Sequence, residues 1–156
     1  MTPAPDPWDD ETPTWPQARR RKRVLVAEDS AAMRELMTLV LRERGYEVDC
    51  ASTGSELLSV LARCNSDGAV AEHFDLIVTD VRMPGASGLD AVDRLRRDGE
   101  STPVIAVTAF PLQATIERSR RLGVPLLAKP FDLDALRSAV ELALNPKLSA
   151  SGEDES

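Results

Sequence analysis

Five polar side chains, each at or just after the end of a short apolar run, could together carry out metal and phosphate chemistry: Glu28, Asp29, Asp80, Thr108 and Lys129. Carboxylate oxygens are hard ligands that suit Mg²⁺, and carboxylates held close together repel one another unless a cation lies among them. A lysine ammonium and a threonine hydroxyl can hold the oxygens of a phosphoryl group. A carboxylate can also be the nucleophile that accepts phosphate. The set predicts a Mg²⁺-dependent phosphoryl site if the fold brings its members together.

The stretch around Asp80 indicates how such a site is positioned. An apolar run over residues 74–78 leads to Asp80 and then to a turn at Pro84 and Gly85. A short apolar run bounded in this way is typical of a strand buried on both faces, and Pro and Gly do not extend a central ladder. We therefore predict that Asp80 stands at the C-terminal end of a central strand, where ligands bind in open α/β sheets.

Apolar periodicity predicts five strands that alternate with five helices. The strands are expected at residues 24–27, 46–51, 74–80, 103–108 and 125–129. The helices are expected after a cap at Ser30, after a capping box at residues 53–56, around residues 89–95, at residues 112–122 and after a cap at Asp132. Residues 65–73 are predicted to be a loop. This alternation predicts a single doubly wound α/β domain with a parallel sheet, whose strands all end at one edge.

Each of the five polar residues also has an ordinary explanation when it is taken alone. Glu28 or Asp29 could be a charge favoured at a helix start, and Asp80 could form a turn. Thr108 could be a β-branched strand residue, and Lys129 a surface charge. All five at one edge of a sheet are hard to reach by accident, so we interpret them as one site.

Composition limits the classes of protein that remain. The chain has 156 residues, enough for one domain, and no run approaches the roughly 18 apolar residues of a membrane helix. The N-terminus lacks the pattern of a signal peptide, and the two cysteines lack metal-ligand spacing, so we expect a cytoplasmic protein without a membrane partner. The net charge is −7, and residues 24–145 hold 19 acidic and 13 basic side chains, which argues against direct nucleic-acid binding by the domain.

The two ends of the chain differ from its middle. Residues 1–18 hold five of the 11 prolines and both tryptophans, and residues 149–156 are acidic, so both are predicted to be disordered. Trp8 and Trp15 could alternatively form a docking motif. The run of five basic residues at 19–23 is interpreted as a solubilising flank, with binding to an anionic surface as the alternative. The predicted organisation is a tail at 1–22, a domain at 23–145 and a tail at 146–156.

Four motifs resemble those of the receiver domain of two-component response regulators, over a stretch from Val24 to about Leu144. They are Val-Ala-Glu-Asp-Ser at 26–30, Asp-Val-Arg-Met-Pro-Gly at 80–85 with Gly88, Thr108-Ala109, and Lys129-Pro130-Phe131. The resemblance implies a flavodoxin-like sheet with strand order 2-1-3-4-5. It also implies that Asp80 receives a phosphoryl group from a phosphohistidine on a sensor histidine kinase or a phosphotransfer protein.

The resemblance assigns a role to each site residue. It implies Mg²⁺ as the cofactor, held directly or through water by Glu28, Asp29, Asp80 and the backbone carbonyl of Arg82. Thr108 and Lys129 would bind the phosphoryl oxygens, Ala109 would leave room for them, and Lys129-Pro130 would be a cis peptide. Such a protein is a phosphoacceptor in signalling and not an enzyme in the usual sense, although it can catalyse its own phosphorylation and dephosphorylation.

Leu126 departs from the family's pattern, in which an aromatic three residues before the lysine reports phosphorylation through its rotamer. The departure concerns the coupling of Thr108 to that switch and not the phosphate chemistry. No DNA-binding or catalytic domain follows the receiver-like stretch in this sequence. We therefore expect a stand-alone receiver that binds a downstream protein partner when phosphorylated, or relays the phosphate onward.

Three other classes of protein compete with the receiver as interpretations of the sequence. A haloacid-dehalogenase-like phosphatase needs a second acid two residues after its aspartate, and Arg82 occupies that position. A nucleotide-binding flavodoxin-like module needs a phosphate loop after the first strand, where Glu28 and Asp29 would repel phosphate. A pseudo-receiver would bind a partner without phosphorylation; the intact set of site residues argues against it, and the sequence leaves it open.

Overall fold

A five-stranded parallel sheet organises the computed structural model, which describes residues 21–66 and 68–145. Its strands are β1 (Arg23–Ala27), β2 (Glu47–Ala51), β3 (Leu76–Asp80), β4 (Val104–Thr108) and β5 (Leu126–Ala128). They lie in the order β2-β1-β3-β4-β5, and each neighbouring pair is parallel. The predicted fold class and strand order are therefore confirmed.

Within the residues that the structure describes, five α-helices and one short 3₁₀ helix follow the strands. They are α1 (Ala31–Glu43), α2 (Gly54–Ser66), the 3₁₀ helix (Val70–Glu72), α3 (Gly88–Arg97), α4 (Gln113–Arg121) and α5 (Leu133–Leu144). The predicted caps are present. The Ser30 hydroxyl accepts a hydrogen bond from the amide of Met33 at 3.3 Å, and the Asp132 carboxylate accepts one from the amide of Ala135 at 2.7 Å. Both satisfy amides that a helix start otherwise leaves without partners.

The prediction of a loop over residues 65–73 is wrong for much of its length. Helix α2 continues to Ser66, and Val70–Glu72 form a 3₁₀ helix. Val70 and Phe74 are both buried in the core, which holds the connection against the sheet. The Glu72 carboxylate also accepts a hydrogen bond from the amide of Ala69 at 2.9 Å. Other predicted ends differ by one or two residues; β5 is the shortest strand, at three residues.

The core lies in two apolar layers, one on each face of the sheet, because side chains along a strand alternate between faces. One layer packs under α1 and α5 and includes Val24, Val26, Leu76, Val78, Ile105, Met37, Leu41, Leu136 and Val140. The other packs under α2 and α3 and includes Leu25, Ala27, Ile77, Ala106, Leu57, Leu61, Val92 and Leu95. Helices thus cover both faces, and the ends of the strands stay open to bind ligands.

Some predictions lie outside the described residues. These are the predictions for residues 1–18 and 149–156, for Trp8 and Trp15, and for Arg19 and Arg20 of the basic run. Among the helices of the described ranges, none combines the length and the apolar character that crossing a membrane requires.

Candidate functional site

Asp80 is the last residue of β3 and is almost completely buried. Its carboxylate has two partners: Oδ2 accepts from the Lys129 ammonium at 2.9 Å, and Oδ1 accepts from the Arg82 amide at 3.3 Å. Its backbone carbonyl accepts a hydrogen bond from the Thr79 hydroxyl at 3.0 Å. The strand end therefore holds a carboxylate in a fixed position at the edge of the sheet.

Glu28 and Asp29 lie next to Asp80, in the turn between β1 and α1. The Glu28 side chain is buried, and its carboxylate accepts from the Ser30 amide at 3.0 Å and from the Lys129 ammonium at 2.7 Å. Asp29 is exposed. One carboxylate oxygen from each of the three acids lies within 4.8 Å of the others. Three hard oxygen donors at this spacing fit a Mg²⁺ ion.

Lys129 follows β5 and links the two buried acids. Its ammonium contacts Glu28 and Asp80, and its amide donates to the Thr108 carbonyl at 2.7 Å. Burial lowers the pKa of the Lys129 ammonium, but the hydrogen bonds and negative charges of Glu28 and Asp80 outweigh burial and raise the pKa above its ordinary value. Lys129 therefore stays charged, and one ammonium faces three carboxylates. The Lys129-Pro130 peptide is cis, as predicted.

Thr108 ends β4 and is buried at the same edge. Its hydroxyl oxygen accepts a hydrogen bond from the Phe110 amide at 3.1 Å, which leaves the hydroxyl hydrogen free to donate. Arg82 is exposed; its amide binds Asp80, and its guanidinium lies 5.0 Å from the centre of the Phe110 ring. The structure thus brings all the sequence-predicted site residues to the carboxyl edge of the sheet.

Gly88 allows α3 to begin directly against β3. A Cβ atom on Gly88 would collide with the backbone carbonyl oxygen of Asp80. The Gly88 amide donates to the Val81 carbonyl at 3.0 Å. Because a side chain there would push α3 away from the end of β3, the glycine holds the loop that follows Asp80 and carries Arg82.

Sequence reasoning missed two residues that support the site, Arg34 and Phe110. A guanidinium nitrogen of Arg34 donates to the Glu28 carbonyl at 2.8 Å. Phe110 contacts the site through its amide and its ring. Their positions, one turn into α1 and two residues after Thr108, were the available signals. Neither position shows by itself which group the residue would contact.

Comparison with known proteins gives consistent results. A family model described as the response regulator receiver domain matches residues 24–141. The chain is 36% identical over 126 residues to the transcriptional regulatory protein PdtaR of Mycobacterium tuberculosis, covering 80% of this chain and 57% of that protein. It is 30% identical over 121 residues to the sporulation initiation phosphotransferase F of Bacillus subtilis, covering 77% of this chain and 91% of that protein.

A solved structure of the response regulator TrrA from Thermotoga maritima, in complex with Mg²⁺ and BeF, is also similar. Its sequence is 32% identical, the TM-score is 0.65, and the match covers 79% of this chain and 99% of that one. The chain spans about half the length of several curated regulators that it matches, from 46% to 57% of each.

Proposed function

The chain belongs to the response regulator receiver domain family, and from that premise we propose that it receives a phosphoryl group on Asp80 in a Mg²⁺-dependent reaction. The observation that carries this proposal is the crowding at the carboxyl edge of the sheet. Asp80 shares the space with Glu28 and Asp29 within 4.8 Å, and Lys129 contacts it at 2.9 Å. A buried nucleophile beside a site for a cation and a fixed ammonium is the arrangement that phosphoryl transfer needs.

The proposed reaction uses the residues as follows. Glu28, Asp29, Asp80 and the Arg82 carbonyl would hold Mg²⁺, which when bound neutralises charge on the transferred group. A carboxylate oxygen of Asp80 attacks the phosphorus of a phosphohistidine. The new O–P bond forms as the N–P bond breaks, and the imidazole leaves with the electron pair of that bond. The Lys129 ammonium and the Thr108 hydroxyl hydrogen then bind oxygens of the aspartyl phosphate.

The proposed donor is a sensor histidine kinase or a phosphotransfer protein, and the proposed receiver unit is residues 23–145. For the output, we propose phosphorylation-dependent binding of a protein partner or transfer of the phosphoryl group onward. The match to a protein named as a phosphotransferase, over 91% of that protein, supports the second mode. The matches to transcriptional regulators support signalling in general.

The test is mass spectrometry of the intact protein after incubation with acetyl phosphate and Mg²⁺. The wild type should gain one phosphate, and Asp80→Asn should gain none. Asp49→Asn is the matched control, since Asp49 is an exposed acid on β2 and should leave labelling unchanged. Equal labelling of Asp80→Asn would show that another residue accepts phosphate. An unlabelled wild type would favour a receiver-like module that binds its partner without phosphorylation.

A further inference from the structure

We infer that Arg34 is a positioning residue for Asp29, and that it sets the Mg²⁺ affinity of the site. This inference rests on the proposed function, because it takes Asp29 as a ligand of the metal. Asp29 is the exposed member of the three acids, and its carboxylate makes no hydrogen bond or ion pair with another residue of the described ranges 21–66 and 68–145. Glu28 and Asp80, in contrast, are each held by Lys129 and by a backbone amide.

The direction of the Asp29 side chain therefore depends on the backbone that carries it. The peptide group that joins Glu28 to Asp29 contains the Glu28 carbonyl. The oxygen of this carbonyl accepts a hydrogen bond from the Arg34 guanidinium at 2.8 Å. Two other bonds hold the same turn: the Glu28 amide donates to the Ala51 carbonyl at 3.0 Å, and the Ser30 amide donates to the Glu28 carboxylate. The bonds from Arg34 and from the Ser30 amide thus hold the two peptide groups on either side of Asp29, and the bond from Arg34 holds the one that precedes it.

Positioning and simple electrostatics predict opposite results when Arg34 is replaced. The Arg34 guanidinium is bonded to the backbone carbonyl of one of the three acids, and its positive charge repels an incoming cation, so loss of that charge alone would tighten Mg²⁺ binding. Loss of the bond to the Glu28 carbonyl would instead free the turn and weaken binding, as loss of a group that orients a metal ligand does. The sign of the change in Mg²⁺ affinity therefore separates the two roles.

The same helix offers a matched control in Arg42. Its guanidinium also donates to a backbone carbonyl, that of Val48, at 3.1 Å. Val48 pairs with Val24 near the start of β1, at the other end of the strands from the three acids. Arg42 thus makes the same kind of bond from α1 to the chain beneath it, without touching the turn that carries Asp29.

The test is isothermal titration calorimetry of MgCl₂ into the full chain at constant ionic strength. We expect the Kd of Arg34→Met to rise about tenfold and that of Arg42→Met to stay within about twofold of the wild type. Arg34→Lys, which keeps a donor and the charge, should restore the affinity to within about threefold. Circular dichroism of each variant without metal checks that the fold is retained.

Each outcome has one meaning. If Arg34→Met binds Mg²⁺ as tightly as the wild type or more tightly, the positioning role is wrong. The same conclusion follows if Arg42→Met loses as much affinity, because general anchoring of α1 would then explain both. If Arg34→Met does not fold, Arg34→Gln, which removes the charge and shortens the donor, takes its place, and an unchanged or lowered Kd of Arg34→Gln contradicts the positioning role. If the wild type binds no Mg²⁺, the metal site of the proposed function is wrong, and the inference about Arg34 falls with it.

Discussion

The two edges of the sheet carry charged side chains in different ways. At the edge where the strands begin, Arg23 pairs with Asp49 at 3.1 Å and with Glu47 at 3.8 Å, and all three side chains are between 43% and 55% exposed. At the edge where they end, Lys129 pairs with Glu28 and Asp80, and their side chains are only 17%, 1% and 7% exposed.

This difference in burial supports the proposal that the carboxyl edge is the functional one. Exposed ion pairs in water contribute little to the free energy of unfolding, so they can be replaced at little cost in stability. Buried acids of like charge cannot be left unbalanced, and at the carboxyl edge one ammonium pairs with two buried acids, with the exposed Asp29 beside them. A cation and a phosphoryl group are the ligands that such a surplus of acids, together with Lys129 and Thr108, can accept.

Each edge also has an arginine over a phenylalanine ring, and here the burial is reversed: the ring at the amino edge is buried and the ring at the carboxyl edge is exposed. Arg23 lies 5.7 Å from the ring centre of Phe74, which is buried in the core. Arg82 lies 5.0 Å from that of Phe110, which is 55% exposed. The amides of Arg82 and Phe110 donate hydrogen bonds to Asp80 and Thr108 respectively, so the second stack is joined to the proposed phosphate acceptor and to the proposed phosphate-binding hydroxyl.

The largest effect on stability is expected from Lys129→Met. Without metal, this change leaves two buried carboxylates without their ammonium, so the free energy of unfolding should fall by about 3–5 kcal/mol. The circular dichroism spectrum before denaturation should remain native, and labelling by acetyl phosphate should fall strongly. Urea denaturation in EDTA measures the fall in the free energy of unfolding, and mass spectrometry of the intact protein measures the loss of phosphate labelling.

The matching change at the other edge is Arg23→Met. Because the ion pairs of Arg23 are exposed, the free energy of unfolding should fall by no more than about 1 kcal/mol. Phosphate labelling should be unchanged. If Lys129→Met and Arg23→Met lose the same free energy of unfolding, the buried ion pairs contribute no more to stability than the exposed ones. A collapsed Lys129→Met protein would mean that this lysine is needed for folding first.

A second effect should appear in the two phenylalanine stacks. The chain has three phenylalanines, so labelling with 4-fluorophenylalanine gives three ¹⁹F resonances. With Mg²⁺ and acetyl phosphate, the Phe110 resonance should shift, because Thr108 and the Arg82 amide turn toward the phosphoryl oxygens and Phe110 follows them. The Phe74 resonance should stay within its linewidth. Phe110→Leu assigns the signal, and equal shifts of both resonances, or none in the wild type, would contradict the comparison.

The smallest effect concerns the single tyrosine, near the start of β2. Burial and the charge of Glu141 raise the pKa of Tyr46 above 10.0, although Arg44 opposes them. Because the folded state then holds the phenolic proton more tightly, stability should be level below pH about 10 and fall as the pH rises further. Absorbance at alkaline pH should show Tyr46 titrating late, and Glu141→Gln should reduce the delay. A Tyr46 that titrates at its ordinary pKa would show that the amino edge has no measurable electrostatic effect.

The sequence predicted the parts of the fold that depend on local pattern. The strand order, the caps at Ser30 and Asp132 and the meeting of Glu28, Asp29, Asp80 and Lys129 follow from apolar periodicity, capping chemistry and the family resemblance. These features need only short-range signals, or the rule that parallel strands end at one edge.

The parts that failed depend on contacts between distant residues. The 3₁₀ helix at Val70–Glu72 forms because Val70 is buried against the core, which a polar stretch of sequence does not reveal. Arg34 contacts the Glu28 carbonyl and Arg82 contacts the Phe110 ring, and both contacts depend on side-chain rotamers and on the path of two loops.

Leu126, where the family usually has an aromatic, is half-buried against the core under α2 and α3.

The most direct test of the shared acidic site is thermal melting of the wild type and Asp80→Asn, each with and without Mg²⁺ at matched ionic strength. At ten times the Kd, Mg²⁺ should stabilise the wild type by about 1.4 kcal/mol, or roughly 3–6 °C. Without metal, Asp80→Asn should melt above the wild type, because one repelling charge is gone while the amide oxygen can still accept from Lys129. The variant should also lose much of its response to Mg²⁺. A wild type that ignores Mg²⁺, together with a variant that is no more stable, would show that Glu28, Asp29 and Asp80 do not form one site.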